Sequence, residues 1–532
     1  MADEGDTKPG DPRDKLRQQS AHWLILPDLL NHFADHAQGD RARVIVELDI
    51  MFPDGIEAAK NAALDLLEQV GVDSDRLNKA NRSPSKHNLF LSLKQEELNA
   101  LKERKEREEQ KARTEQAERK QSARPERAHR PDPFPIYKIW ADQALQPFAG
   151  KALRTIKADA CLATFGSHGR DIVVAVADSG IDGKHAHFAR FRNLQDLPDG
   201  LKHCDFTDDV RSFEGTALVD EYGHGTHVAG IVAGCFTAAE EGDITIVREE
   251  QIVSADKPGA NSATKPTATG NKAPMELRGV APEAKLVSLK VLDAKGSGYA
   301  SNLIAALEYV FDLNDSGRKT KVHCLNLSLG YPFEAAWYAA GQSPLCVAVT
   351  RLVRSGVVVV AAAGNDGSVL LQPEGASRAK RIGLAQSIND PGNAEAAITV
   401  GSTHGESPHL YGVSYFSSRG PTADGRMKPD LLAPGERILS CSPASAVEPM
   451  IRENTDTRIE PDAVYYREES GTSMAAPHVA GAVAAFLSVQ NEFIGRPEEV
   501  KKVFMSTCTD LGRIREFQGA GLIDMMRAVQ SV

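Results

Sequence analysis

Apolar residues recur along this chain in two different rhythms, and the change from one to the other divides it. In the first part, Val44-Ile-Val-Glu-Leu-Asp-Ile50 reads as a strand, and Ile56, Ala59, Ala63, Leu67 and Val70 then repeat at the spacing of one helix face. A polar, turn-rich stretch, Asn81-Arg-Ser-Pro-Ser85, leads to a second strand, Asn88-Leu-Phe-Leu-Ser-Leu93, and a second helix starts near Gln95. That helix runs into Lys102-Glu-Arg-Lys-Glu-Arg-Glu-Glu109, the composition of a solvated helix or a linker. A third strand is predicted at Ile136-Tyr-Lys-Ile-Trp140.

Beyond about residue 149 the pattern changes. Ile172–Ala177, Leu286–Leu292, Cys324–Leu329, Val357–Ala363 and Ala397–Val400 are largely apolar on both faces and lie helix-length distances apart. Strands that bury both faces belong to a mostly parallel sheet covered by helices on each side. The expected architecture is therefore a three-layer α/β domain over 149–532, preceded by a small α+β domain over 21–148. That small domain includes a charged helix or linker at about 100–132, and residues 1–20 are expected to be a flexible N-terminus. Two polar stretches interrupt the large domain, at about 236–275 and 442–469, and both have the composition of long loops.

A length of 532 residues allows two or three domains with a substantial core, and a 41% hydrophobic share fits an ordinary globular chain. The formal net charge of -11 argues against nucleic acid as a partner. No stretch reaches the roughly 18 apolar residues of a membrane span, and the N-terminus lacks a signal-peptide pattern, so a cytoplasmic location is expected. The seven scattered cysteines have neither zinc-site spacing nor disulfide density and read as buried thiols.

Candidate chemistry sits in three separated blocks. Asp178-Ser-Gly-Ile-Asp182 ends the first strand of the large domain, where α/β sheets carry their functional groups. Gly223-His-Gly-Thr-His-Val-Ala-Gly230 puts His224 at the start of a helix of small residues, and Gly471-Thr-Ser-Met-Ala-Ala-Pro-His-Val-Ala-Gly481 does the same for Ser473. Taken singly these are a turn, a structural histidine and a helix cap. Together they give a carboxylate, a base and a hydroxyl, the set a serine needs to become a nucleophile.

In that chain order, and with Asn326-Leu-Ser-Leu-Gly330, Ala361-Ala-Ala-Gly-Asn-Asp-Gly367, Ser414-Tyr-Phe-Ser-Ser-Arg-Gly-Pro421 and Lys428-Pro-Asp-Leu-Leu-Ala-Pro-Gly435 between them, the chain resembles the subtilisin-like (S8) serine peptidases. The resemblance implies a serine endopeptidase with Asp178, His224 and Ser473 as its triad, and Asn365 with the Ser473 amide as oxyanion donors. It implies substrate contacts from Ser328, Leu329, Gly330, Ala363, Gly364 and Asn389, with Asp366 at the rim of the P1 pocket favouring basic residues. His227, His478 and Asp182 are expected to be structural.

The small domain resembles an inhibitory propeptide, which makes the chain a self-inhibited zymogen with autocleavage between Leu145 and Gly150. No cofactor is implied. Calcium stays possible but its usual site reads as degraded: secreted relatives carry an acidic calcium ligand nine residues after the aspartate, where this chain has His187. Expected partners are peptide or protein substrates and the chain's own N-terminal domain, with the two inserts as candidate attachment points for a regulator. Two alternatives stand beside this reading: a partner-regulated intracellular protease of a stress or defence pathway, and a catalytically silent binding protein of the same fold.

Overall fold

The computed structural model describes residues 41–50, 52–82, 85, 87–121, 134–141, 151–198, 200–208, 212–213, 215–239, 243–252, 263–270, 275–334, 339–371, 380–454 and 464–532. The chain divides into two compact units, Met1–Leu145 and Gln146–Val532. The expected flexible residues 1–20 and the Leu145–Gly150 cleavage stretch lie outside the described residues.

In the N-terminal unit, β1 (Arg41–Leu48) is central between β2 (Asn88–Lys94) and β3 (Ile136–Ala141), both antiparallel to it. Helices α1 (Ile56–Gln69), α2 (Ser74–Asn81) and α3 (Gln95–Gln121) complete the described elements. Alternation explains the core: Val44, Val46 and Leu48 share a face with Leu89, Leu91 and Leu93 and pack on Ala59, Ala63, Leu67, Leu98 and Leu101. The polar helix α2 was invisible as a periodic pattern. Asp73 caps it by accepting from the Arg76 amide, and the Arg76 guanidinium grips Glu97 of α3 with two bonds of 2.7 and 2.8 Å.

The second unit is built on β4 (Val173–Asp178), β5 (Cys204–Asp205), β6 (Ser212–Phe213), β11 (Lys285–Lys290), β12 (Cys324–Leu327), β13 (Val358–Ala362), β16 (Ile398–His404) and β17 (Leu431–Glu436). Their order is β17-β16-β13-β12-β4-β11-β5-β6, parallel except for the last pair. This is the expected three-layer α/β fold. The two faces of β4 show the layering: Val174 and Val176 pack with Val228, Ala475 and Val479 of α4 (His224–Val232) and α8 (Thr472–Leu487). Val173, Ala175 and Ala177 pack with Leu303 and Leu307 of α5 (Ala300–Leu313) and with Leu345 and Val349 of α6 (Pro344–Arg354). The alanine- and glycine-rich sequence of α8 is what lets it lie against the sheet; a Cβ on Gly481 would stand 2.6 Å from the Val280 side chain.

Both predicted loops are corrected by the structure. The first insert forms β7 (Cys235–Ala238) and β10 (Met275–Arg278) as a stem carrying the hairpin β8 (Ile244–Ile252) and β9 (Ala263–Gly270). The second holds α7 (Ala444–Asn454) and β19 (Val464–Glu469), following β18 (Ile438–Cys441). They are one piece of structure, a sheet of order β18-β19-β8-β9 with α7 packed on it through Val447, Ile451, Val247 and Tyr465. Val464 to Arg467 run parallel to Ile244 to Val247, a pairing between distant segments that local composition cannot signal.

Candidate active site

The carboxyl ends of β4, β12 and β13 and the N-termini of α4 and α8 meet in one cleft of about 500 Å³. Asp178 closes β4 and is almost fully buried; its Oδ1 accepts from the Ser179 amide and from His224 Nδ1, each at 2.8 Å. Gly225 makes that approach feasible, since a Cβ there would lie 2.1 Å from the Gly180 carbonyl and 3.1 Å from Asp178 Cβ.

A second buried carboxylate, which the sequence reading passed over, clamps the two loops. Asp220 accepts from Ser179 Oγ (2.9 Å), the Gly223 amide (2.8 Å), the Thr226 amide (2.8 Å) and Thr226 Oγ1 (2.6 Å), while Ser179 Oγ accepts from the Gly225 amide. The signal was present as an aspartate just before a helix start. Burial raises the Asp220 pKa although these donors oppose it. For His224, burial disfavours the charged ring but is outweighed by Asp178, with Glu469 and Asp220 adding, and the pKa is raised to about 9.

Ser473 lies in the first turn of α8, after Gly471. Its hydroxyl donates to the Ser328 carbonyl (2.8 Å), and Ser328 Oγ donates back to the Ser473 carbonyl (2.8 Å) while accepting from Asn326 Nδ2 (2.9 Å). The serine thus shares the cleft with His224 while its proton is engaged elsewhere. Asn365 accepts at Oδ1 from the Thr472 amide (2.9 Å) and Thr472 Oγ1 (3.0 Å), which fixes the orientation of its amide. A Cβ on Gly471 would stand 3.5 Å from Asn365 Nδ2 and 3.7 Å from the Ser473 amide, so the glycine leaves a small niche flanked by both donors.

Ser328, Leu329, Gly330, Gly364 and Asn389 line the cleft, together with Asp366, whose Oδ2 accepts from Asn389 Nδ2 at 2.8 Å. Ala363 does not line it: it is fully buried at the end of β13, its carbonyl accepting from the Asn389 amide, and Ala362 lines the cleft instead. Tyr222, Leu292 and Gly296-Ser297-Gly298 also line it, and the sequence did not single them out. The Gly-Ser-Gly run was the only local signal.

The histidines expected to be structural are buried and engaged by backbone. His227 Nε2 faces the carbonyls of Ile438 (3.2 Å) and Arg467 (2.9 Å), and His478 Nδ1 faces the Met474 carbonyl (2.8 Å). Asp182 Oδ1 accepts from the Lys184 amide in its own turn.

At the position of the family's calcium ligand, His187 is fully enclosed. Its Nε2 faces the carbonyls of Gly230 (3.3 Å) and Ala233 (3.1 Å), its Nδ1 meets the Tyr466 hydroxyl (2.9 Å), and burial lowers its pKa to about 3. A neutral ring donating to the carbonyls at the end of α4 does not fit a hard cation, which needs those oxygens for itself. Among the described residues no three His, Cys, Asp or Glu side chains are grouped to hold a metal ion.

A carboxylate at a strand end of a parallel α/β sheet, with an imidazole and a serine at helix starts around the same cleft, is an arrangement that serine hydrolases use. The chain belongs to the subtilase family, whose sequence model matches residues 169–521. It is 31% identical over 374 residues to serine protease AprX of Bacillus subtilis, covering 68% of this chain and 66% of that protein. It is 29% identical over 375 residues to subtilisin E of the same organism, covering 70% of each. It is 30% identical over 355 residues to the major intracellular serine protease of that bacterium, covering 66% of this chain and 80% of that one. The chain is thus a serine peptidase of the subtilisin-like type.

Proposed function

We propose that the chain is an endopeptidase working through Asp178, His224 and Ser473 by way of an acyl-enzyme. The observation that carries this reading is the 2.8 Å Asp178–His224 contact in a cleft shared with Ser473 and a Thr472-oriented Asn365. An extended substrate pairs with Ser328 to Gly330, and its P1 amide competes for the Ser328 carbonyl that now holds the Ser473 hydroxyl. The released hydroxyl turns to neutral His224, which takes its proton as Ser473 Oγ bonds to the scissile carbonyl carbon. The oxyanion enters the niche between Asn365 Nδ2 and the Ser473 amide. His224 then delivers the proton to the leaving amine, and water repeats the sequence to free the acid and restore Ser473.

Asp366, bonded to Asn389 beside the P1 position, supports a preference for Lys or Arg at P1. No cofactor is needed, and the His187 contacts support calcium independence at that place. The N-terminal unit, with its strand-helix-helix-strand-helix-strand order, serves as an intramolecular inhibitor cleaved between residues 145 and 150. The seven unpaired cysteines support a reducing compartment.

A fluorophosphonate probe tests the core of this reading. Wild type is expected to be labelled and to shorten by its N-terminal unit, whereas Ser473→Ala is neither labelled nor shortened. Labelling of the alanine variant overturns the assignment of Ser473, and equal masses overturn self-processing alone. A peptide panel varied only at P1 that shows no gain for Lys or Arg overturns the role of Asp366.

A further inference from the structure

Between Asp366 and Asn389, both on the cleft wall, the chain leaves the domain as a two-stranded ribbon, β14 (Ser368–Leu371) and β15 (Lys380–Gly383). Val369 pairs with Ile382 and Leu371 with Lys380. The bond from the Leu384 amide to the Gly367 carbonyl extends the ladder by one residue. Val369, Leu371, Ile382 and Leu384 therefore share one face with Lys380, while Leu370 stands on the other face opposite Arg381. Leu371, Ile382 and Leu384 are 47%, 41% and 38% exposed, and none of the four aliphatics joins a hydrophobic cluster among the described residues.

The ribbon does not depend on that face for its anchorage. The Gly367 amide donates to the Phe416 carbonyl (2.9 Å), Arg381 donates to Ser368 Oγ (3.1 Å), and the Arg381 guanidinium stacks 4.9 Å over Tyr415 on the other face. A two-stranded ribbon that keeps a cluster of aliphatic side chains in water is incomplete until a third element covers it.

We propose that this ribbon is an exosite for the protein substrate, its aliphatic face taking an extended apolar stretch of the polypeptide whose scissile bond lies in the cleft. Continuity argues for this occupant. The ribbon rises directly from the cleft rim, and four strand residues reach about 13 Å, so one substrate chain can occupy both places. The face is also far below the roughly 800 Å² per partner of a stable dimer. It suffices for a segment already tethered through the cleft, because the second contact is then intramolecular. The enzyme would accordingly favour unfolded, apolar-rich chains over folded proteins or short peptides.

The inference rests on the peptidase reading, and a short chromogenic peptide separates the two. The full chain and its Leu371→Ser/Ile382→Ser double variant are assayed on that peptide, which is too short to leave the cleft, and on a reduced, carboxymethylated polypeptide. The expected result is about a tenfold fall in kcat/KM on the polypeptide with the peptide rate and fluorophosphonate labelling unchanged. In wild type, an uncleavable apolar peptide should inhibit polypeptide cleavage but not peptide cleavage. Equal rates on both substrates, or an equal fall on both, overturn the exosite. So does a change of oligomeric state, which assigns the face to a second copy, or a rise in peptide rate, which assigns it to the N-terminal unit. Absence of any activity or labelling in wild type defeats the peptidase reading instead.

Discussion

The two sides of the cleft are held with very different firmness. Asp178 and Asp220 are buried and bound by several donors, and they fix His224 between β4 and the start of α4. Across the cleft, Ser473 is half-buried and its hydroxyl donates to the Ser328 carbonyl, the group proposed to take the substrate's P1 amide, while Asn365 is exposed and oriented by Thr472. In the proposed mechanism the base is a fixture of the fold, whereas the nucleophile waits on a contact that substrate displaces. Preorganisation is thus concentrated where charge must be held, and freedom is left where a proton must move.

The largest expected effects remove one side altogether. Ser473→Ala should abolish turnover in a chromogenic peptide assay with an unchanged melting temperature, and Asp178→Asn should lower kcat by about 10⁴ through the wrong imidazole tautomer. Asn365→Leu should cost about 10²–10³ in kcat with little change in KM, the range known for a side-chain oxyanion donor in a subtilisin. Thr472→Val, which removes the Oγ1 bond to Asn365 and the acceptor of the Gly364 amide but keeps the Thr472 amide on Asn365 Oδ1, should cost up to about tenfold in kcat; an unchanged rate would mean that the amide alone holds Asn365 well enough.

Protonation sharpens the same contrast. Because the His224 pKa is raised to about 9, kcat/KM should climb with pH towards that value. The charged ring stabilises the fold fully below its ordinary pKa of about 6.5, and this contribution is lost as pH rises through about 9. Burial has the opposite consequence for His187, lowered to about 3, and for His323 and His478, each lowered to about 4. The unfolded chain takes up their protons first, so the melting temperature should fall as pH drops below about 6.5, and His187→Gln should flatten that slope. The smallest expected effect is that of a chelator, which should leave the melting temperature of wild type unmoved; a clear fall would place a structural cation in the fold.

What the sequence made legible follows from how local each signal is. Strands apolar on both faces announced the parallel sheet, and Asp178, His224 and Ser473 stood out because each sits in a run of small residues at the end or start of an element. Asp220 and Ser179 were missed because their role is to bond one loop to another across the fold. Ala362 rather than Ala363 lines the cleft, and neither of two adjacent alanines tells which of them meets it from sequence alone. The inserts read as loops because the polar strands β8, β9 and β19 owe their order to one another, and neither segment shows its partner.

The parallel pairing of β8 with β19 also sets an order in time. Asp178 and His224 leave the ribosome far ahead of Ser473, and β8 has no neighbour on that edge until Val464 to Arg467 have been made. Contacts of such sequence separation close slowly and late, and an unpaired edge is a liability while it waits. The strand that relieves it ends four residues before Ser473. On the proposed mechanism, a nascent chain stalled before Ser473 carries base and carboxylate but no nucleophile, and proteolytic competence has to wait for the segment that also completes this sheet.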